Sequence, residues 1–93
     1  MAKFVLIPEA QGDIFFERVS KVYGPSDCLK ISDGLILIHS MSELTADQVV
    51  SRIDAENGVA LKDLNIRYVL FSVTSYQGWH MNSMWTWLNS KGI

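Results

Sequence analysis

The sequence is poor in the residues that build covalent or metal-held scaffolds. Its single cysteine, Cys28, cannot close an internal disulfide, and one thiol cannot supply a metal cage. The two histidines, His39 and His80, stand far apart with no ligand spacing, and neither has a nucleophile and an orienting acid nearby in sequence. Glycine-rich phosphate loops are missing, which leaves a nucleotide-binding reading without a foundation. Basic residues are scarce: eight Lys and Arg against ten Asp and Glu give a net charge of −2, without the footprint of a strong nucleic-acid binder. The longest apolar run near the start, Phe4 to Ile7, ends at Pro8, too short for a signal peptide or a membrane span. These deficits favour a reducing, cytoplasmic setting with no membrane contact.

What the chain has in surplus is apolar residues: 48% of its 93 residues, ten of them aromatic. So short a chain forms one domain, residues 1–93, and buries only about 60–65% of its unfolded surface. Such a surplus is hard to hide from water in a small body, so self-association is expected.

Periodicity divides the chain into alternating elements. Phe4 to Ile7 reads as a strand buried on both faces. After a loop from Pro8 to Gly12, Asp13 reads as a helix N-cap, and Phe15, Phe16, Val19, Val22 and Tyr23 form one helical stripe ended by Gly24 and Pro25. Cys28–Ile31 and Leu35–His39 flank Asp33-Gly34, a strong hairpin signal. A two-residue loop sets Ile31 opposite Ile36 and Leu29 opposite Ile38 on one face. Lys30, Ser32, Leu35, Leu37 and His39 then share a mixed second face suited to a partner. Thr45 with Gln48 makes a capping box, and Leu44 with Val49 a hydrophobic staple, ahead of a helix whose stripe is Val49, Val50 and Ile53. Ala55 to Asn65 is a connection, with room for a short helical turn. Ile66–Val73 is the last strand, and Met81, Met84, Trp85 and Leu88 mark a C-terminal amphipathic helix, with Trp87 off its stripe.

Two βαβ-type halves in this order give an α+β, ferredoxin-like βαββαβ sandwich, with a four-stranded antiparallel sheet and an extra C-terminal helix. The two most apolar strands, Phe4–Ile7 and Leu35–His39, belong at its centre.

The C-terminal segment carries a resemblance. Val73-Thr74-Ser75, Gly78-Trp79 and Met84-Trp85-Thr86-Trp87-Leu88 resemble the ending of small SinR-like proteins, ferredoxin-like relatives of the small CRISPR-associated endoribonuclease family. Leu37-Ile38-His39-Ser40 and Leu44-Thr45-Ala46-Asp47 continue it backwards, so that it spans nearly the whole chain. The resemblance implies a homodimer built through sheet faces and C-terminal segments. With the mixed face and the Trp surplus, it nominates Leu35, Leu37, Trp85 and Trp87 as interface residues. It also implies a position for catalysis: the CRISPR-associated members place a metal-binding Asp at the end of the first strand, where this chain has Glu9. Pro8 precedes Glu9 where an aromatic residue is usual, and Ala10, Gln11 and Gly12 replace the basic residues that follow in nuclease members.

Two functions therefore compete. One is a small homodimeric, non-enzymatic interaction or regulatory module that needs no cofactor. The alternative is a metal-dependent endonuclease acting on RNA or DNA, using Mg²⁺ or Mn²⁺ held by Glu9 with help from Asp13. A regulator in a toxin–antitoxin or defence pair is a third reading. For Asp13 helix capping is the plainer role, and for Cys28 that of a small buried hydrophobe. The Trp79, Trp85 and Trp87 cluster favours packing over base stacking, because it has few basic neighbours.

Overall fold

Gly12 fixes the join between the first strand and the first helix. A Cβ at this position would lie 2.4 Å from the Asp33 carbonyl oxygen and 2.6 Å from Asp33 Cα, so the chain can cross the hairpin turn here only without a side chain. The computed structural model describes residues 2–74 together with Thr86, Trp87, Asn89 and Ser90. In order, it contains strand β1 (Ala2–Pro8), helix α1 (Gly12–Tyr23), strands β2 (Cys28–Ser32) and β3 (Leu35–Ser40), helix α2 (Ala46–Asn57), a 3-10 turn at Leu61–Leu64 and strand β4 (Tyr68–Val73). Thr86, Trp87, Asn89 and Ser90 are also helical.

The strands lie in the order β2-β3-β1-β4, every neighbouring pair antiparallel. This is the ferredoxin-like βαββαβ arrangement, with the two apolar strands β1 and β3 at the centre. Alternation along each strand sends Phe4 and Leu6, Ile36 and Ile38, and Cys28 to one side, where they meet Phe15 and Val19 of α1, Val49 and Ile53 of α2, and Leu61. All ten are essentially inaccessible to water. Phe15 also packs its ring against Tyr68, with centroids 5.7 Å apart at a tilted angle.

The other face of β1 departs from expectation. Val5 is half-buried and Ile7 keeps 39% of its exposure, so β1 is sealed on one side only. The hairpin register differs too. Ser32 pairs with Leu35 as a two-residue turn requires, but the ladder then slips at Ile31, and Lys30 meets Ile36, Leu29 meets Leu37 and Cys28 meets Ile38. The extra residue is a β-bulge, which local sequence patterning does not announce. It turns Leu29 away from the helices and brings Lys30 onto their side. The expected Ile31–Ile36 and Leu29–Ile38 pairs are therefore not formed.

Helix ends follow local chemistry more closely. Gln48 N–H donates to Thr45 Oγ1 at 3.2 Å, and the Gln48 side chain accepts from Thr45 N–H at 3.3 Å, completing the expected capping box. Leu44 remains 66% exposed while Val49 is fully buried, so the proposed staple is not what buries Val49. Gly58 ends α2 in the left-handed region (φ 76°), and its N–H closes on the Asp54 carbonyl. Asn57 Nδ2 donates to the Arg18 carbonyl at 3.0 Å and ties α2 to α1. The start of α1 is a correction: Gln11, in a left-handed conformation, occupies the cap position, and no side chain caps the helix. Asp13 lies inside the first turn, because Gly12 has already entered the helix. The last strand begins at Tyr68 rather than Ile66, which packs against the core edge.

Candidate functional site

Glu9 follows β1 directly and Arg67 precedes β4, so the pairing of these strands brings the two side by side. The Glu9 N–H donates to the Arg67 carbonyl at 2.8 Å. Their side chains form a bidentate pair, with Arg67 Nε 2.5 Å from Glu9 Oε2 and the terminal guanidinium nitrogen 2.7 Å from Oε1. The guanidinium hydrogen bonds hold the Glu9 carboxyl below its ordinary value and raise Arg67 in turn. An open depression of about 340 Å³ adjoins the pair, lined also by Ile7, Tyr68 and Val69. Both carboxylate oxygens of Glu9 are thus engaged by a cation the protein itself supplies.

Asp13 has its own cation. Lys30, brought to the helix side by the bulge, pairs with Asp13 and, at 3.1 Å, with Asp33. Hydrogen bonds donated to both carboxylates hold the Lys30 ammonium above its usual value. Glu9 and Asp13 are therefore committed to two different basic partners. Among the described residues, no three His, Cys, Asp or Glu side chains converge as a metal site.

The most densely connected polar group is one the sequence did not single out. Glu43 lies in the loop between β3 and α2 and accepts from Tyr23 OH at 2.6 Å, from Arg52 at 2.9 Å, from Ser40 Oγ at 3.1 Å and from Ser42. Burial alone would raise its pKa, but hydrogen bonds from Ser42, Tyr23, Arg52 and Ser40 outweigh burial and hold it at about 2. Burial, then the bond to Glu43, pushes Tyr23 upward. Arg52 lies over the Tyr23 ring, 4.9 Å from its centroid, and also bonds Glu56. The cluster clasps the end of α1 to α2. Ser40, Ser42 and Glu43 are neighbours at the end of β3 and in the loop after it, but Tyr23 and Arg52 come from the two helices and only Arg52 with Glu56 shows helical spacing, so no short motif marks the whole cluster.

Cys28 is buried, its thiol donates to the Gly24 carbonyl at 3.0 Å, and burial followed by the nearby Asp27 carboxylate pushes its pKa up to about 11. That is an inert thiol at neutral pH. His39 faces the side of the sheet away from the helices and keeps only 5% of its exposure. Its Nδ1 lies 3.3 Å from Asp27 Oδ1, and its backbone N–H donates to the Asp27 carbonyl at 2.8 Å. A carboxylate only accepts, so Nδ1 carries the proton and Asp27 orients the ring.

Of the nominated interface residues, Leu35 is half-buried and Leu37 is already buried at 4% exposure within one chain. Trp87 is half-buried, and its carbonyl accepts from Ser90 Oγ at 2.7 Å. Trp85, together with His80, Trp79, Met81, Met84 and Leu88, lies outside the described residues. The side of the sheet opposite the helices offers a different set. Ile7 pairs with Val69 and Val5 with Phe71, and there Ile7, Val69 and Phe71 remain 39%, 42% and 53% exposed. Among the described residues, no helix is long and apolar enough to cross a membrane.

No known family model matches this chain, and no curated protein is significantly similar to it.

Proposed function

We propose that this protein is a small interaction module that acts as a homodimer and performs no chemistry of its own. The observation carrying this reading is the contiguous apolar strip Ile7, Val69 and Phe71 on the β4 side of the sheet. Fully burying side chains of this kind contributes roughly 1.5–3 kcal/mol each, so covering three half-exposed ones is a substantial drive to associate. The same reading agrees with the SinR-like character of the Trp-rich ending and with a cytoplasmic location. It extends to a regulatory role exercised through a protein partner.

The endonuclease alternative rests on Glu9. A divalent ion there would have to displace the Arg67 guanidinium from both carboxylate oxygens, which weighs against that reading. Sedimentation velocity on the full chain tests the dimer: it should sediment as a dimer at about 100 μM, and Phe71→Lys should be a folded monomer at the same concentration. A wild-type monomer there would overturn the proposal. In parallel, cleavage of RNA or duplex DNA with Mg²⁺ or Mn²⁺ that disappears in folded Glu9→Ala would establish the nuclease instead.

A further inference from the structure

The two edges of the sheet are built differently. β2 forms one edge, and its ladder is broken by the bulge at Ile31. It also carries Lys30, whose charge is held between Asp13 and Asp33. Bulges and lysines of this kind discourage a further strand from adding. β4 forms the other edge, where Tyr68-Val69-Leu70-Phe71-Ser72-Val73 contains no charge and no proline. Its register with β1 is unbroken from Val73 to Tyr68, and among the described residues no strand lies beyond it.

The hydrogen-bond phase of this edge follows from one contact. Glu9 N–H bonds the Arg67 carbonyl, so that directly opposed pair is hydrogen-bonded. In an antiparallel ladder such pairs alternate, and Val69, Phe71 and Val73 must turn their backbone groups toward β1. Tyr68, Leu70 and Ser72 then present N–H and C=O outward, where no strand among the described residues pairs with them.

We infer that a second copy of this chain adds antiparallel to β4, with the two-fold axis at Leu70, joining two sheets into one of eight strands. The inference rests on the homodimer proposed above. A two-fold axis perpendicular to the sheet keeps each face continuous, so directly opposed residues must share a face. Leu70 opposite Leu70 satisfies this condition and pairs Tyr68 with Ser72, giving about six new backbone hydrogen bonds. Phe71 then lies across from Val69 of the second copy, so the exposed apolar strips merge. Arg67, the nearest charge, falls opposite Val73 and is already neutralised by Glu9, so no like charges meet.

Residue-resolved amide hydrogen exchange on the wild-type chain tests this, at about 1 μM and about 200 μM, on either side of the range expected for a moderate dimer. The Leu70 and Ser72 amides should gain roughly tenfold or more in protection at the higher concentration, whereas Val69 and Phe71, bonded inside the monomer, stay protected at both. Ser72→Pro, at an exposed position with an outward N–H, should remain folded by circular dichroism and sediment as a monomer. Ile7→Lys, on the strand behind, should weaken the dimer less than Ser72→Pro does. A dimer whose Leu70 and Ser72 amides gain no protection, or which Ile7→Lys dissolves and Ser72→Pro does not, overturns edge pairing while leaving the homodimer intact. A monomer at both concentrations overturns the two together.

Discussion

Adjacent residues of β1 live in different surroundings. Phe4 and Leu6 are sealed beneath the helices, while Val5 and Ile7 look onto the open side, where Ile7 keeps 39% of its exposure. The helix-covered side has its partners within the chain: two helices, the 3-10 turn and the neighbouring strands pack into one buried cluster. The open side has large apolar groups without comparable cover at Ile7, Val69 and Phe71. The apolar surplus of the composition is therefore divided. One part holds the fold together, and another stays exposed at Ile7, Val69 and Phe71.

The largest effect should come from the sealed side. Leu6 is fully buried at the centre of the sheet, so Leu6→Ala should cost about 3 kcal/mol through lost burial and the cavity left behind. In a domain of this size each kcal/mol shifts Tm by roughly 4–8 °C, so a calorimetric drop of about 10–20 °C is expected. A drop of only a degree or two would mean that the helix-covered core is not what stabilises the molecule.

A smaller effect should come from the polar clasp that closes the same side. The Glu43 carboxyl is held at about 2 by hydrogen bonds, below an ordinary value of 4.5. Because its folded value is depressed, the stability it contributes is fully present above about pH 4.5 and drains away as pH falls toward 2. Its side chain is only 14% exposed, so the contribution is on the order of 2 kcal/mol. Urea melts of the wild type should weaken across this window, and Glu43→Gln should start lower and show a flatter acid limb. Parallel curves for the two proteins would remove Glu43 from the acid response.

Legibility in the sequence followed the range of each interaction. The capping box of Thr45 and Gln48 and the hairpin at Asp33-Gly34 both rest on residues a few positions apart, and both were readable, whereas α2 runs on through Asn57 where a connection was expected from Ala55. The strand order followed from the pattern of two apolar strands and right-handed crossovers. The bulge at Ile31 was not readable, because one inserted residue leaves the local pattern of apolar residues intact while exchanging Leu29 and Lys30 between faces. Asp13 looked like a cap because its residue type suits one, yet the left-handed turn at Gln11 starts the helix one residue earlier. Around the candidate site, Glu9 was nominated through the family resemblance alone, which implies a carboxylate after the first strand. Arg67, its partner across the sheet, and the Glu43 clasp depend on tertiary contacts that no spacing encodes.

The smallest effect is the one that decides whether the two sides of β1 differ in kind. Ile7→Ala removes a side chain of the same size as Leu6 from the very next position on the same strand. If the open side is available for association, there is little native packing to lose, and the monomer should be destabilised by less than about 1 kcal/mol. Measured by chemical denaturation at low micromolar concentration, where association contributes least, the midpoint should stay close to that of the wild type. A loss matching that of Leu6→Ala would show that the open side is packed within a single chain. The strip of Ile7, Val69 and Phe71 would then belong to the core, and the surplus of apolar residues would be consumed by folding.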